Sequence, residues 1–219
     1  MARQWIKKEL KKDFLTGFIV SIKEFVVKRK QTSLSLLAVV AVAGVFSFLL
    51  IYTQNKNINR AYSTLIRAES TMFSDPNLAL SLCDRVISEA GAPSKLGSLA
   101  SFLKGEALFV KEDYEGAIKI YRQAKEHIRS EFVPNIVFSV AKCQESMGNF
   151  KEALETYRQF ISDYDRHYLS ADAYISSARI MMAAGQIEPA SRQLEIVKSR
   201  FQGTQWAAYA EKLQSGLKK

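Results

Sequence analysis

The stretch AKCQESMGNFKEALETYRQF, residues 141–160, decides the fold. Gly148 divides it, aromatic residues stand at Phe150 and Tyr157, and the alanine between them is Ala153. Apolar residues on both sides of the glycine recur at helical spacing, and a glycine that ends a helix adopts a positive φ at little cost. The stretch therefore predicts a helix–turn–helix whose small residues let the two helices approach closely.

The same pattern occurs twice more without gaps, as GEALFVKEDYEGAIKIYRQA (105–124) and ARIMMAAGQIEPASRQLEIV (178–197). Each copy has a small residue on its first helix and an alanine three residues into its second. That alanine recurs in four copies, the first of them weaker: Ala79, Ala117, Ala153 and Ala190. The spacing between these four alanines is typical of repeats in which paired helices stack into a solenoid. Strand patterns are absent from the sequence, so the expected fold class is all-α.

This arrangement of small, aromatic and alanine positions resembles the tetratricopeptide repeat. The resemblance is strong at 141–160, good at 105–124 and moderate at 178–197, whereas residues 57–90 match poorly. It implies a solenoid of about three to four helix pairs over residues 56–219. The last stretch, with Trp206, Ala207, Tyr209, Ala210 and Leu213 at helical spacing, predicts a solitary capping helix.

A second feature precedes the repeats: LSLLAVVAVAGVFSFLLIY, residues 34–52, lies in a stretch without charge between Lys30 and Lys56. As a helix it spans about 28 Å, close to the thickness of a bilayer's hydrocarbon core. We interpret residues 34–55 as a transmembrane helix. One alternative is a buried core helix, but such a helix normally shows a polar side. The other is a cleaved signal peptide, but no small-x-small cleavage site follows Tyr52.

The charge distribution orients this span. The net charge of the chain is +9, and residues 1–33 hold nine basic and three acidic side chains. Because short basic segments stay in the cytoplasm, we expect the N-terminus inside and the C-terminal domain in the periplasm of a bacterial inner membrane. An organelle of a eukaryotic cell is the other setting. The remainder of the chain is close to charge balance, which argues against nucleic-acid binding.

Residues 1–33 predict a basic amphipathic cytoplasmic helix. Apolar residues recur at helical spacing, and lysines occupy the opposite face. Such a helix suits a membrane surface, with its lysines on anionic lipid headgroups. The alternative is that its apolar face docks on a membrane protein.

Residues suited to catalysis or metal binding do not cluster in the sequence. His127 and His167 stand at predicted helix ends, and Asp163 and Asp165 fall at a helix junction, as does Asp172. We expect no cofactor, no metal and no enzymatic activity. The two cysteines, Cys83 and Cys143, fall on apolar helix positions, which favours buried thiols over a disulfide.

The tetratricopeptide resemblance implies a binding groove lined by the first helix of each pair. Large apolar side chains beside single charges would suit an extended, mostly apolar segment of another protein. The alternatives are that the chain's own terminal helix or a second copy in a homo-oligomer covers this face, or that the faces are assigned wrongly. The expected groove residues are Phe102, Glu106, Phe109, Asn135, Phe138, Lys142, Glu145, Asp172, Ile175, Arg179 and Met182.

The whole layout is similar to the YfgM-like ancillary subunits of the Sec translocon, which act with periplasmic chaperones. The resemblance rests on architecture and on IKEFVVKRKQTSLSLLAVV, residues 22–40, which enters the membrane. It implies a membrane-anchored module that binds unfolded clients at the translocon. The alternative is a scaffold that tethers a peptidoglycan, division or outer-membrane assembly factor to the inner membrane.

Overall fold

The computed structural model describes residues 30–216, which are helical with short connections and contain no strand. The predicted all-α fold is confirmed. Residues 1–29, which hold most of the predicted amphipathic segment, lie outside the described residues. The helices are α1 Lys30–Thr71, α2 Pro76–Ala90, α3 Lys95–Val110, α4 Tyr114–Lys125, α5 Val133–Ser146, α6 Phe150–Asp163, α7 Ser170–Ala183, α8 Ile187–Arg200 and α9 Gln205–Gly216, with a short 3-10 helix at Ser130–Phe132 before α5.

The chain divides into two compact units, Met1–Lys56 and Asn57–Lys219. In the first unit, every residue from 39 to 52 is exposed, including Phe46 at 63% and Phe48 at 68%. Among the described residues, one helix is long and apolar enough to cross a membrane, with its candidate span at Val39–Thr71.

The core of the second unit is a series of apolar layers between successive helices. Tyr121 of α4 is fully buried and shares a layer with Ile136 and Cys143 of α5. The next layer joins Tyr157 and Phe160 of α6 to residues of α5 and α7. Each second helix therefore packs against its own first helix and against the first helix of the following pair. Burying a side chain of this size stabilises the fold by roughly 1.5–3 kcal/mol.

The close approach of paired helices requires a small residue opposite the buried tyrosine. A Cβ atom at Gly105 would lie 2.4 Å from Cε1 of Tyr121, far inside van der Waals contact. The equivalent residues of the next pairs are Ala141 and Ala178, and both are fully buried. The small residues identified in the sequence therefore set the distance between paired helices.

The turns inside the pairs behave as predicted where a glycine is present. Gly148 and Gly185 have φ values of 77° and 74°, the left-handed conformation that ends a helix. The equivalent residue of the first clear repeat is Glu112, which adopts φ 63°. A residue with a Cβ atom is less stable in this conformation than glycine. Asp113 then caps α4, because its side chain accepts a hydrogen bond from the backbone N–H of Gly116 at 3.0 Å.

The last helix caps the stack, as the sequence predicts. Ala210 of α9 is fully buried in a layer with Leu194 and Val197 of α8, and Trp206 and Leu213 pack against the same layer. The two cysteines are free and buried. Burial raises the pKa of the Cys83 thiol to about 11 and that of Cys143 to about 12.

The conformation of Glu112 generates a stability prediction. Glu112→Gly should raise the free energy of unfolding by about 0.5–1 kcal/mol, because glycine adopts a positive φ without strain and the Glu112 side chain is exposed. The opposite change in the next repeat, Gly148→Ala, should lower it by about 1 kcal/mol. Urea unfolding of both variants measures the two effects. A loss of stability in Glu112→Gly would contradict the positive φ of Glu112 in this turn.

Candidate functional site: a groove between first helices

A cavity of about 380 Å³ lies within the second unit, between α1, α3, α5 and the loop before α7. It contains six of the eleven groove residues expected from the sequence: Phe102, Glu106, Phe109, Asn135, Phe138 and Lys142. The structure adds residues outside the predicted set: Glu69, Met72, Phe73, Leu103, Tyr121, Ser139, Tyr168 and Leu169. We call this cavity with its lining residues the groove.

The phenylalanine rings of the groove are fixed from behind by aromatic residues of the repeats. The ring of Phe102 lies 5.8 Å from that of Tyr121, and the ring of Phe138 lies 5.7 Å from those of Tyr157 and Phe160. Aromatic pairs at these distances stabilise each other beyond their buried area. The apolar wall of the groove is therefore held in place before any ligand arrives.

The rim of the groove includes a large apolar side chain with little cover. Phe73, in the turn after α1, is 83% exposed, whereas its neighbour Met72 is 5% exposed and belongs to the core. Phe73 therefore extends the apolar lining of the groove to its exposed edge.

The carboxylate of Glu106 anchors the centre of the groove. Its Oε1 atom accepts hydrogen bonds from the hydroxyl of Tyr121 at 2.5 Å and from that of Ser139 at 2.8 Å. Burial, and then the charge of Glu106, raises the pKa of the Tyr121 hydroxyl, so this hydroxyl stays protonated and donates. Glu106 therefore links the two helices of its own pair to the first helix of the next.

The next pair repeats this arrangement with one difference. Glu145 accepts a hydrogen bond from the hydroxyl of Tyr157 at 2.8 Å, and it also forms an ion pair with Arg179 at 3.4 Å. Neither Glu145 nor Arg179 lines the groove. The structure therefore brings Glu145 and Arg179 together, but they pair with each other outside the groove.

The remaining predicted groove residues lie under the capping helix. Ile175 is 4% exposed and belongs to the core layer of α7, α8 and α9, so it does not line an open surface. Asp172 accepts a hydrogen bond from Nε1 of Trp206 at 3.0 Å, and Met182 packs against the same layer. The prediction of an open groove at Ile175 is therefore wrong. Ile175 is buried in a layer formed with Leu194 and Val197 of α8 and with Ala210 of the terminal helix α9.

A loop residue that the sequence did not single out also lines the groove. Tyr168, between α6 and α7, accepts a hydrogen bond from the side-chain amide of Asn135 at 2.5 Å. Its ring lies 4.3 Å from that of His167, whose pKa is lowered by burial. Because Tyr168 lies in a loop between repeats, it does not follow the helical spacing from which the other groove residues were predicted.

The isolated polar residues have local structural roles. Asp165 forms an ion pair with Arg200 at 3.2 Å, and Asp172 is held by Trp206 as described above. His127 is exposed at the end of α4. Among the residues that the structure describes, no group of three or more His, Cys, Asp or Glu side chains is placed to hold a metal ion.

The comparisons with known proteins agree with this architecture. Residues 138–167 match the tetratricopeptide repeat family model. The fold is similar to that of the protein MamA (18% identity, TM-score 0.52), with 72% of this chain and 82% of that chain covered. It is also similar to that of a putative kinesin light chain from Podosopora anserina with nearly identical TPR-like repeats (16% identity, TM-score 0.60, 72% and 85% covered). No curated protein matches the chain significantly.

The chain thus contains a tetratricopeptide-like solenoid. This fold is that of protein–protein interaction modules, which generally carry no enzymatic activity. The groove is a cavity lined by aromatic and aliphatic side chains together with polar groups such as Glu106, a combination suited to binding.

Proposed function

We propose that this protein is a membrane-anchored interaction module that holds an extended segment of another polypeptide in the groove. The observation that carries the proposal is the groove itself, a cavity of about 380 Å³ whose phenylalanine rings are immobilised by buried aromatic residues. A wall ordered in advance lowers the entropy cost of binding. Exposed Phe73 enlarges the apolar surface that a partner can cover.

We further propose that residues 34–55 span a bacterial inner membrane with the N-terminus in the cytoplasm and the solenoid in the periplasm. The support is the run of exposed apolar side chains at residues 39–52 and the excess of basic residues before it. The amphipathic segment 1–33 would then lie on the cytoplasmic leaflet, where anionic lipid attracts its lysines.

Two partners fit this arrangement. An unfolded client near the Sec translocon presents extended apolar segments, which suits the phenylalanine, leucine and methionine side chains of the groove. An envelope assembly factor, held by a scaffold, presents one folded surface or one specific peptide. We favour the client, because a groove lined mainly by aromatic and aliphatic side chains recognises apolar character more than a particular sequence.

The anchoring proposal predicts the behaviour of the whole protein in membranes. The full chain should remain in the pellet after carbonate washing of membranes, and a fluorescent reporter fused after Lys219 should be inactive if it folds only in the cytoplasm. A reporter fused before Met1 should fluoresce. A chain that stays soluble without detergent, or a C-terminal reporter that fluoresces in the cytoplasm, would contradict the proposal.

The client proposal predicts a role for the exposed rim. The full chain in lipid nanodiscs should delay the aggregation of several unrelated unfolded proteins, and Phe73→Ser should shorten that delay severalfold. Phe73 is 83% exposed, so its loss should leave the stability of the solenoid unchanged. The matched control is Phe150→Ser, a phenylalanine that is 50% exposed and does not line the groove.

One stoichiometric partner recovered from membranes, together with no delay of aggregation, would favour the scaffold instead. Equal losses in Phe73→Ser and Phe150→Ser would show that exposed aromatic surface in general, and not the groove, binds the client.

A further inference from the structure

The charges of the groove are unequal. Two carboxylates, Glu69 and Glu106, and one ammonium group, that of Lys142, line it. Lys142 forms no ion pair with any carboxylate among residues 30–216, because none lies within 4.0 Å of its nitrogen. The cavity therefore presents separate charges, with negative charge in excess.

Glu106 is a partly buried charge of the groove that the described chain leaves without a counter-ion. Its counterpart in the next pair, Glu145, has the same hydrogen bond to a buried tyrosine but is neutralised by Arg179 at 3.4 Å. No cation of the described chain stands within 4.0 Å of Glu106. A partly buried carboxylate without a cation nearby is less stable than one that is paired, so a cation supplied from outside gains binding energy there.

The hydrogen bonds of Glu106 leave room for that cation. Both hydroxyl donors, those of Tyr121 and Ser139, bind the same oxygen, Oε1. The second oxygen, Oε2, accepts no hydrogen bond from the part of the chain that the structure describes. Oε2 is therefore the free acceptor of a group that lines the cavity.

The surroundings of Glu106 suit a cationic side chain with an apolar stem. Phe102 and Phe109 lie on the same helix at i−4 and i+3, on the face of α3 that Glu106 occupies, and Phe138 lines the cavity from α5. The methylene stem of a lysine or arginine packs on such rings while its charged end reaches a carboxylate.

From this charge complementarity we infer that the groove selects an extended polypeptide segment in which a lysine or arginine stands next to a bulky apolar residue. The cation pairs with Oε2 of Glu106, and the apolar neighbour packs on the phenylalanine rings. Lys142 disfavours a second cation on the α5 side of the groove. This inference rests on the proposed function, since it names the class of segment that the groove would hold.

Three fluorescein-labelled peptides test the inference with the full chain in nanodiscs of neutral phosphatidylcholine. Each has a Leu-X-Leu centre within glycines, and X is lysine, norleucine or glutamate. By fluorescence anisotropy, we expect the lysine peptide to bind about tenfold more tightly than the norleucine peptide, and the glutamate peptide to bind most weakly. Empty nanodiscs correct for binding to lipid.

Two variants locate the preference. Glu106→Gln, which keeps an acceptor for Tyr121 and Ser139, should abolish the difference between the lysine and norleucine peptides, whereas Glu145→Gln should retain it. Lys142→Gln should strengthen binding of the lysine peptide by a fewfold, because it removes a competing positive charge. This last variant keeps the test decisive even where Glu106→Gln fails to fold by circular dichroism.

The outcomes separate the two proposals. Equal binding of the lysine and norleucine peptides would overturn the charge preference and leave the groove as an apolar binding site. Loss of the preference in Glu145→Gln, or weaker lysine-peptide binding in Lys142→Gln, would also overturn it. No binding of any of the three peptides to the wild-type chain would overturn the proposed function together with the inference.

Discussion

The two central helix pairs of the solenoid, α3–α4 and α5–α6, depend on how each accommodates a buried tyrosine, Tyr121 or Tyr157. The ring of Tyr121 needs the space that Gly105 leaves, and its hydroxyl needs an acceptor inside the fold, which Glu106 provides at 2.5 Å. A buried hydroxyl without an acceptor would cost roughly 1–3 kcal/mol. In the α3–α4 pair this acceptor is a carboxylate on the groove side of the first helix. Glu106 therefore both stabilises the fold and supplies a charge to the groove.

The α3–α4 and α5–α6 pairs provide this acceptor in different ways, and the difference changes the surface formed by their first helices. In the second repeat the acceptor is Glu145, one helical turn further along, and Arg179 from the next pair neutralises it. In the first repeat Glu106 stays unpaired within the described chain and lines the cavity. The need for a hydroxyl acceptor thus produces a neutralised carboxylate, Glu145, in the α5–α6 pair. In the α3–α4 pair it produces an unpaired carboxylate, Glu106, that lines the groove.

Much of this architecture can be predicted from the sequence, because it follows from residues at fixed spacing. The alanines and glycines of the repeats predict the helix pairs, and Gly148 and Gly185 have the positive φ that the pattern requires. The groove residues on α3 and those on α5 from Asn135 to Lys142 follow from the same register. Phe73 and Tyr168 could not be predicted, since they lie in turns without a period. The burial of Ile175 depends on how α8 and α9 pack on α7, and the spacing of residues within one helix does not specify which surface its neighbours cover.

The central claim is that the groove is open to another polypeptide at α3, whereas the corresponding residues of α7 pack within the chain, against a layer that includes α9. A photo-crosslinking residue placed at Phe102 or at Met182 of the full chain tests this directly in cells. We expect position 102 to give adducts with other proteins and position 182 to give crosslinks only within the chain, to α9. Adducts to other proteins from position 182, with none from position 102, would contradict the account.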